Sequence, residues 1–121
     1  MLVTTSFAKA ESYPGEKYAV CRTKPAQGPQ YPLVTYLFPT DAMLKKVKEG
    51  EITAEQFTER YQKILETNRQ RLLKLKSMLE QQQRDIVLVC HCPEDSFCHR
   101  ALIARYLLDQ LGLDPALVEI H

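Results

Sequence analysis

Long apolar stretches are missing from this sequence. No run approaches the roughly 18 apolar residues that a transmembrane helix needs, so we expect no membrane span. The N-terminus also lacks the basic and then apolar layout of a secretory signal peptide. Without such a signal, 4 cysteines among 121 residues favour reduced thiols and a cytoplasmic protein. A net charge of +1 does not by itself indicate an acidic partner or nucleic acid.

Proline and glycine are absent between Ile52 and Arg84, so nothing interrupts a helical pattern there. A capping box at Thr53–Gln56 marks its start, because the hydroxyl and the amide satisfy free backbone N–H groups reciprocally. We predict one long amphipathic helix, or two with a bend near Thr67–Asn68. Its polar face carries the basic residues Arg69, Arg71, Lys74 and Lys76. Such composition is ordinary for exposed helix surface, and a nucleic-acid-binding face is the weaker alternative.

Shorter apolar runs predict the remaining elements. Three of them have the length and the residue types of strands: Leu2–Thr5, Lys17–Cys21 and Leu117–Ile120. A short helix should follow Pro39-Thr40 and run from Asp41 to Lys48. The apolar run Leu33–Phe38 fits either a strand or chain packed under the end of the sheet. The proline-rich residues 23–32 should form a loop.

Most of the chemically reactive residues lie between Ile86 and Tyr106. Ile86–Val89 is aliphatic without alternation, which indicates a strand buried on both faces, and Cys90 ends it. Residues 93–96 have the composition of a turn, and an apolar pattern with helical spacing runs from Cys98 to Leu111. The stretch therefore predicts a strand, a loop and a helix. Cysteine, histidine and arginine would lie where the strand ends and the helix begins, which is where open α/β sheets bind ligands.

Metal binding and phosphatase-type catalysis are two interpretations of this cluster. A zinc site could use Cys90, Cys92, Cys98 and His99, with His91 as a further ligand. Only one residue separates Cys90 from Cys92, and Cys98 adjoins His99, so we expect no zinc. A phosphatase-type loop wraps one phosphate between a thiolate and an arginine. It requires a shorter cysteine-to-arginine spacing than either Cys90 or Cys92 offers.

Two functional interpretations remain open beside a purely structural one. The helix N-terminus and Arg100 could bind an anion together. A thiol paired with His91 or His99 could act as a nucleophile or in acid–base catalysis. Alternatively, Cys90 and Cys98 are small buried hydrophobic residues. Arg100 could also pair with an acidic residue of the loop, Glu94 or Asp95.

The segment IVLVC, followed by FCHRALIARYLL, resembles the hallmark of the bacterial and phage family called domain of unknown function 488. That hallmark is a hydrophobic strand ending in Cys, a short loop, and Cys-His-Arg opening a helix. Thr5–Lys9, Tyr36–Pro39 and the pattern from Lys48 to Tyr61 resemble a shorter branch of the family. The resemblance implies a compact fold with a parallel-type sheet. We therefore predict a small three-layer Rossmann-like α/β domain over residues 1–121, with a mainly parallel sheet.

The resemblance supplies a site and not a reaction. It implies site residues at Cys90, Cys98, His99 and Arg100, with Arg22 after the second strand as a weaker match. The catalytic candidates are Cys90, Cys98 and His99. The candidates for ligand binding are Arg22, Arg100 and Ser6, which lies in the matched N-terminal segment. No cofactor or metal is predicted.

The predicted function is binding of, or chemistry on, a small anionic ligand such as a nucleotide or a phosphoester. The alternative is a non-catalytic module that binds nucleic acid or protein and uses the cluster structurally. A catalytic site should contain a thiol of low pKa, and a structural cluster should not. We expect the Cys90 thiol to titrate below its reference pKa of about 8.5, with Arg100 as the cause.

Overall fold

The computed structural model describes residues 1–22, 28–92 and 97–121. Within these residues, four strands form one sheet in the order β2-β3-β1-β4, and every neighbouring pair is parallel. The strands are β1 (Leu2–Ser6), β2 (Glu16–Ala19), β3 (Ile86–Cys90) and β4 (Val118–Ile120). The same residues contain the α-helices α1 (Asp41–Lys48), α2 (Ala54–Thr67), α3 (Arg69–Glu80) and α4 (His99–Asp109). Three short 3-10 helices complete them: Ala10–Ser12, Thr35–Leu37 and Pro115–Leu117. The predicted small Rossmann-like α/β class is confirmed.

The two faces of the sheet are covered differently. On one face, Leu2, Leu88 and Cys90 belong to a large apolar cluster that contains buried apolar residues of all four α-helices. On the other face, Val3, Val87, Val89 and Ala10 form a much smaller cluster. The rings that pack against it are Phe7, Tyr13 and Tyr31. Among the described residues, the third layer is therefore a 3-10 helix with aromatic side chains, and not a layer of α-helices.

β3 is an interior strand, as its continuous apolar sequence predicted. It pairs with β1 on one side and with β2 on the other. Leu88 in this strand is 3% exposed, and Leu107 of α4 is fully buried. Because the strands are parallel, the carboxyl ends of β1, β2 and β3 meet at one edge of the sheet.

The long helical pattern is divided in two, at the bend that the sequence indicated. The capping box at Thr53 is present, with Gln56 as its partner. Asn68 separates α2 from α3, and its side-chain amide donates to the carbonyl oxygens of Ile64 and Tyr36, at 2.8 and 3.2 Å. The Asn68 side chain thus competes with the backbone for a helical acceptor, which explains the break at this residue.

Other boundaries differ by a few residues from those expected. The ambiguous run 33–38 forms the 3-10 helix Thr35–Leu37, and Leu33 makes an isolated parallel bridge to Ala19. The last strand begins at Val118, because the residues from Pro115 to Leu117 form a 3-10 helix. The turn predicted at 93–96 and part of the loop predicted at 23–32 lie outside the described residues. No helix in the described ranges has both the length and the apolar character needed to cross a bilayer.

Candidate functional site

The carboxyl edge of the sheet brings distant parts of the sequence together. Ser6, the last residue of β1, lies in register with Cys90, the last residue of β3. The chain leaving β1 stays attached, because the N–H of Phe7 donates to the carbonyl oxygen of Cys90 at 3.0 Å. The chain leaving β2 is held in the same way, since the N–H of Val20 donates to the carbonyl oxygen of Val89 at 3.0 Å. Cys21 therefore emerges beside Cys90.

The cysteines of the chain converge at this edge as free thiols. The sulfurs of Cys90, Cys92 and Cys98 all lie within 4.8 Å of one another. Cys21 joins them through a side-chain hydrogen bond to Cys90. Three of these residues are buried and Cys92 is half-buried. We call Cys90, Cys92 and Cys98 the sulfur trio, and the trio with Cys21 the thiol cluster.

The thiol cluster favours a negative charge on Cys90. Hydrogen bonds from the thiols of Cys21 and then Cys98 hold the pKa of Cys90 well below its ordinary value, although burial acts in the opposite direction. A charge on His99 and the backbone N–H of Cys92 lower it further. The same thiol hydrogen bonds, together with burial, raise the pKa values of Cys21 and Cys98. The first proton to leave the cluster therefore leaves from Cys90, while its neighbours remain donors.

This result agrees with the expected direction of the Cys90 pKa but not with the expected cause. The expected cause of a low pKa at Cys90 was the guanidinium of Arg100. Neighbouring thiols dominate instead, because β2 brings Cys21 against Cys90.

His99 links the cluster to the end of β2. The ring is only 4% exposed, and its Nε2 lies 2.5 Å from the carbonyl oxygen of Val20. A carbonyl can only accept, so Nε2 carries a proton, and Nδ1 faces the sulfur of Cys98 at 3.8 Å. Tyr61 packs against the ring edge-to-face at 5.5 Å. His99 thus fixes the position of the residue before Cys21 and also contacts the sulfur trio.

Arg100 is fully buried, in the first turn of α4. Its Nη1 donates to the carbonyl oxygen of Cys92 at 2.7 Å. Its Nε and Nη2 donate to the carbonyl oxygen of His121 at 3.3 and 3.2 Å. The guanidinium therefore joins the chain after β3 to the chain after β4. Pairing with Glu94 or Asp95, the alternative considered from the sequence, falls on residues outside the described ranges.

The other two candidates for ligand binding have different surroundings. Ser6 is buried at the end of β1, beside Cys90 in the sheet. Arg22 is exposed, forms a 3.3 Å ion pair with Asp41 of α1, and lies over the ring of Phe38 at 5.7 Å. Binding of a ligand by Ser6, Arg22 or Arg100 remains a prediction.

A protein-family model described as the active DUF488-N3 subclade matches residues 4–111. The chain belongs to the DUF488 family. This confirms the family resemblance. The match begins within β1, includes β2, β3 and α4, and contains every residue of the thiol cluster. No curated protein and no solved structure matches the chain. The description of the family names no substrate and no reaction.

Cys21 and Cys92 belong to the thiol cluster but are not among the site residues that the sequence predicts. The signal for Cys21 was its position after a strand, because neighbouring parallel strands end at the same edge. The spacing of Cys92 from Cys90 is short for a zinc motif, and this counted against Cys92 as a ligand. Spacing along the chain does not measure separation in space, however, and the sulfurs of Cys92 and Cys98 meet although five residues lie between them. The spacing is therefore no longer an argument against a metal.

Proposed function

We propose that this DUF488 protein acts on a small anionic ligand of the nucleotide or phosphoester class, with the Cys90 thiolate as nucleophile. The observation that carries the proposal is the position of Cys90. It is the last residue of an interior parallel strand, at the edge where such sheets bind ligands, and thiols of Cys21 and Cys98 are directed at it. Thiolate, and not thiol, is the reactive form of cysteine. The description of the matching subclade as active is consistent with chemistry at this residue.

Two features support an anionic ligand. The N-terminus of α4 begins at Cys98 of the thiol cluster, so the positive end of its helix dipole can stabilise negative charge there. The buried guanidinium of Arg100 adds a positive charge next to the carbonyl of Cys92. A phosphate in front of the helix would lie in the field of both.

The ring of Phe7, which packs against the apolar clusters on both faces of the sheet, supports a ligand with a flat ring. Phe7 stacks on Tyr31 with centroids 6.0 Å apart, and its ring lies 4.7 Å from that of His91. The Tyr31 hydroxyl is buried, with no hydrogen-bond partner among the described residues. Rings of this kind can stack on a nucleobase, and the hydroxyl can bond a polar group of the ligand. A nucleotide carries both groups, and its phosphate would lie at the N-terminus of α4 with its base at Phe7.

The proposed reaction is substitution at phosphorus. The Cys90 thiolate attacks, a sulfur–phosphorus bond forms, and the ester oxygen–phosphorus bond breaks. The leaving oxygen takes the proton of Cys98, whose thiol is hydrogen-bonded to Cys90. Water then attacks phosphorus, the sulfur–phosphorus bond breaks, phosphate leaves, and the proton from water restores the Cys98 thiol.

A structural role of the cluster is the second candidate, and the burial of Arg100 favours it. A guanidinium that donates to backbone carbonyls stabilises the chain without any ligand. Binding of nucleic acid by the basic face of α3 has less support. Arg69 bonds the hydroxyl of Tyr106, Arg71 lies over Tyr36, and Lys76 pairs with Glu80.

Turnover and covalent labelling together test the proposal. We expect p-nitrophenyl phosphate or a member of a nucleoside monophosphate panel to be hydrolysed, and Cys90→Ser to abolish the activity. Phe7→Leu should weaken binding of the nucleotide and leave p-nitrophenyl phosphate unaffected. Iodoacetamide at neutral pH should modify Cys90 ahead of Cys98, as read by peptide mass spectrometry.

The opposite results would favour the structural role. The proposal is wrong if no phosphoester is turned over, no phosphate or nucleotide raises the Tm, and Cys90 reacts no faster than the other buried thiols. Activity that survives in Cys90→Ser would equally contradict it.

A further inference from the structure

We infer that the sulfur trio, Cys90, Cys92 and Cys98, is a binding site for one thiophilic d10 metal ion of the zinc class. The three sulfurs all lie within 4.8 Å of one another. A tetrahedral zinc ion with bonds of about 2.3 Å to sulfur holds neighbouring sulfurs roughly 3.8 Å apart. Small rotations of the cysteine side chains would bring the trio to that geometry.

Each ligand of the trio is held by a different part of the fold. Cys90 ends the interior strand β3, and Cys98 is the N-terminal cap residue of α4. Cys92 lies on the connection between them, where Arg100 bonds its carbonyl oxygen at 2.7 Å. The neighbouring His99 is fixed through its bond to Val20. Supporting bonds of this kind orient metal ligands before the ion arrives.

The chemistry of the donor set selects the class of ion. All three donors are sulfur, which prefers zinc, cadmium and monovalent copper over magnesium and calcium. Three thiolates and one divalent ion carry a net charge of −1. The positive end of the α4 dipole and the buried guanidinium of Arg100 both offset this charge. Three protein ligands leave the fourth position of a tetrahedral ion open.

Cys21 provides a matched control within the same cluster. Its thiol forms a hydrogen bond with Cys90, but Cys21 is not a member of the sulfur trio. Its thiol is buried, as are those of Cys90 and Cys98, so replacing it disturbs the core to a similar degree. Cys92 is half-buried, which makes it the ligand whose replacement least endangers folding.

The metal site does not require the proposed phosphoester chemistry, but it has a consequence for that chemistry. An ion bound to Cys90 occupies the nucleophile, so metal loading would inhibit the reaction. The two proposals can fail separately, because binding of an ion and turnover by the metal-free protein are different measurements.

The experiment titrates the full, metal-free chain with Cd²⁺ and with Zn²⁺. We expect a cadmium–thiolate charge-transfer band that saturates at one ion per chain, and a native mass spectrum with one bound zinc. Cys92→Ser should lose the stoichiometric band while keeping the wild-type circular dichroism spectrum. Cys21→Ser should retain both the band and the stoichiometry. Zinc should also protect Cys92 of the wild type from alkylation.

Several outcomes would overturn the metal site. One is that the wild type gives no saturable band, and another is that the band of Cys92→Ser is unchanged. A third is that Cys21→Ser and Cys92→Ser lose the band equally, which would indicate that any accessible thiol binds the ion. Turnover by the metal-free protein together with no metal binding would reject this inference and leave the proposed function intact. Metal binding together with no turnover by the metal-free protein would reject the proposed function and leave the metal site intact.

Discussion

β2 and β3 lie side by side, and the chain after each strand carries an arginine close to a cysteine of the same cluster. The thiols of Cys21 and Cys90 meet in a hydrogen bond. The arginines have opposite surroundings, since Arg100 is fully buried against backbone carbonyls and Arg22 is exposed beside Asp41. The difference follows from what comes next in the chain. α4 packs on the interior of the sheet and carries Arg100 inward, whereas Arg22 leaves an edge strand towards the surface of α1.

The two arginines that follow these neighbouring strands therefore have different tasks. A guanidinium surrounded by carbonyl acceptors stabilises the fold, because buried carbonyls without donors are costly. An exposed ion pair contributes little, since water screens it and two long side chains must be ordered.

The largest expected effect comes from replacing the buried arginine. Hydrogen bonds to a charged group contribute about 1.5–3 kcal/mol each, so losing those to the carbonyls of Cys92 and His121 in Arg100→Leu should cost about 3–6 kcal/mol. Urea unfolding measures this loss. The control is Arg105→Leu, at an exposed position of the same helix, which should stay within about 0.5 kcal/mol of the wild type. A cost below that of Arg22→Ala would remove the contrast between the two arginines.

Truncation inside the interior strand should have the next largest effect. Leu88 is 3% exposed and lies two residues before Cys90, so Leu88→Ala should cost about 2–5 kcal/mol as a core truncation. Leu33, which is 39% exposed, provides the matched change, and Leu33→Ala should cost much less. Equal losses in the two variants would contradict the interior position of β3.

The link between the two strand ends should be visible in the pH dependence of alkylation. The thiol of Cys21 is the main cause of the lowered Cys90 pKa, so the wild-type thiolate persists below the ordinary pH range of cysteine. Removing this donor in Cys21→Ala should move the midpoint of the Cys90 alkylation rate to higher pH. Cys21→Ser keeps a donor and should shift it less. An unchanged midpoint in Cys21→Ala would show that β2 does not activate Cys90.

The smallest expected effect is that of the exposed arginine on stability. Arg22→Ala removes an ion pair in which both side chains are more than half exposed, and it should cost about 0–1 kcal/mol, less at high salt. Phosphate-induced stabilisation should be compared in the same variant. If Arg22 contributes to ligand binding, as the sequence predicts, phosphate raises the Tm of Arg22→Ala less than it raises the Tm of the wild type. Without phosphate, the two proteins should have nearly the same free energy of unfolding.

Local patterns were sufficient for most of the fold. The uninterrupted run Ile86–Val89 predicted the buried strand, and the capping box at Thr53 predicted the start of α2, because both signals lie within a few residues. The Cys-His-Arg segment predicted the family. The thin layer over the second face was not foreseen, since Phe7 and Tyr31 cover it from connections that carry no periodic pattern.

The sequence by itself determined that Cys90 lies at a strand end and that Cys98 begins a helix. Only the tertiary structure decided the composition of the site, because the order and parallel direction of the strands determine which ends are neighbours. That arrangement brings Cys21 into contact with Cys90, which lies 69 positions later in the sequence, and places the sulfur of Cys92 near that of Cys98. It also decided the task of Arg100, since the two carbonyls that the guanidinium bonds belong to chain after β3 and after β4, which no local pattern relates.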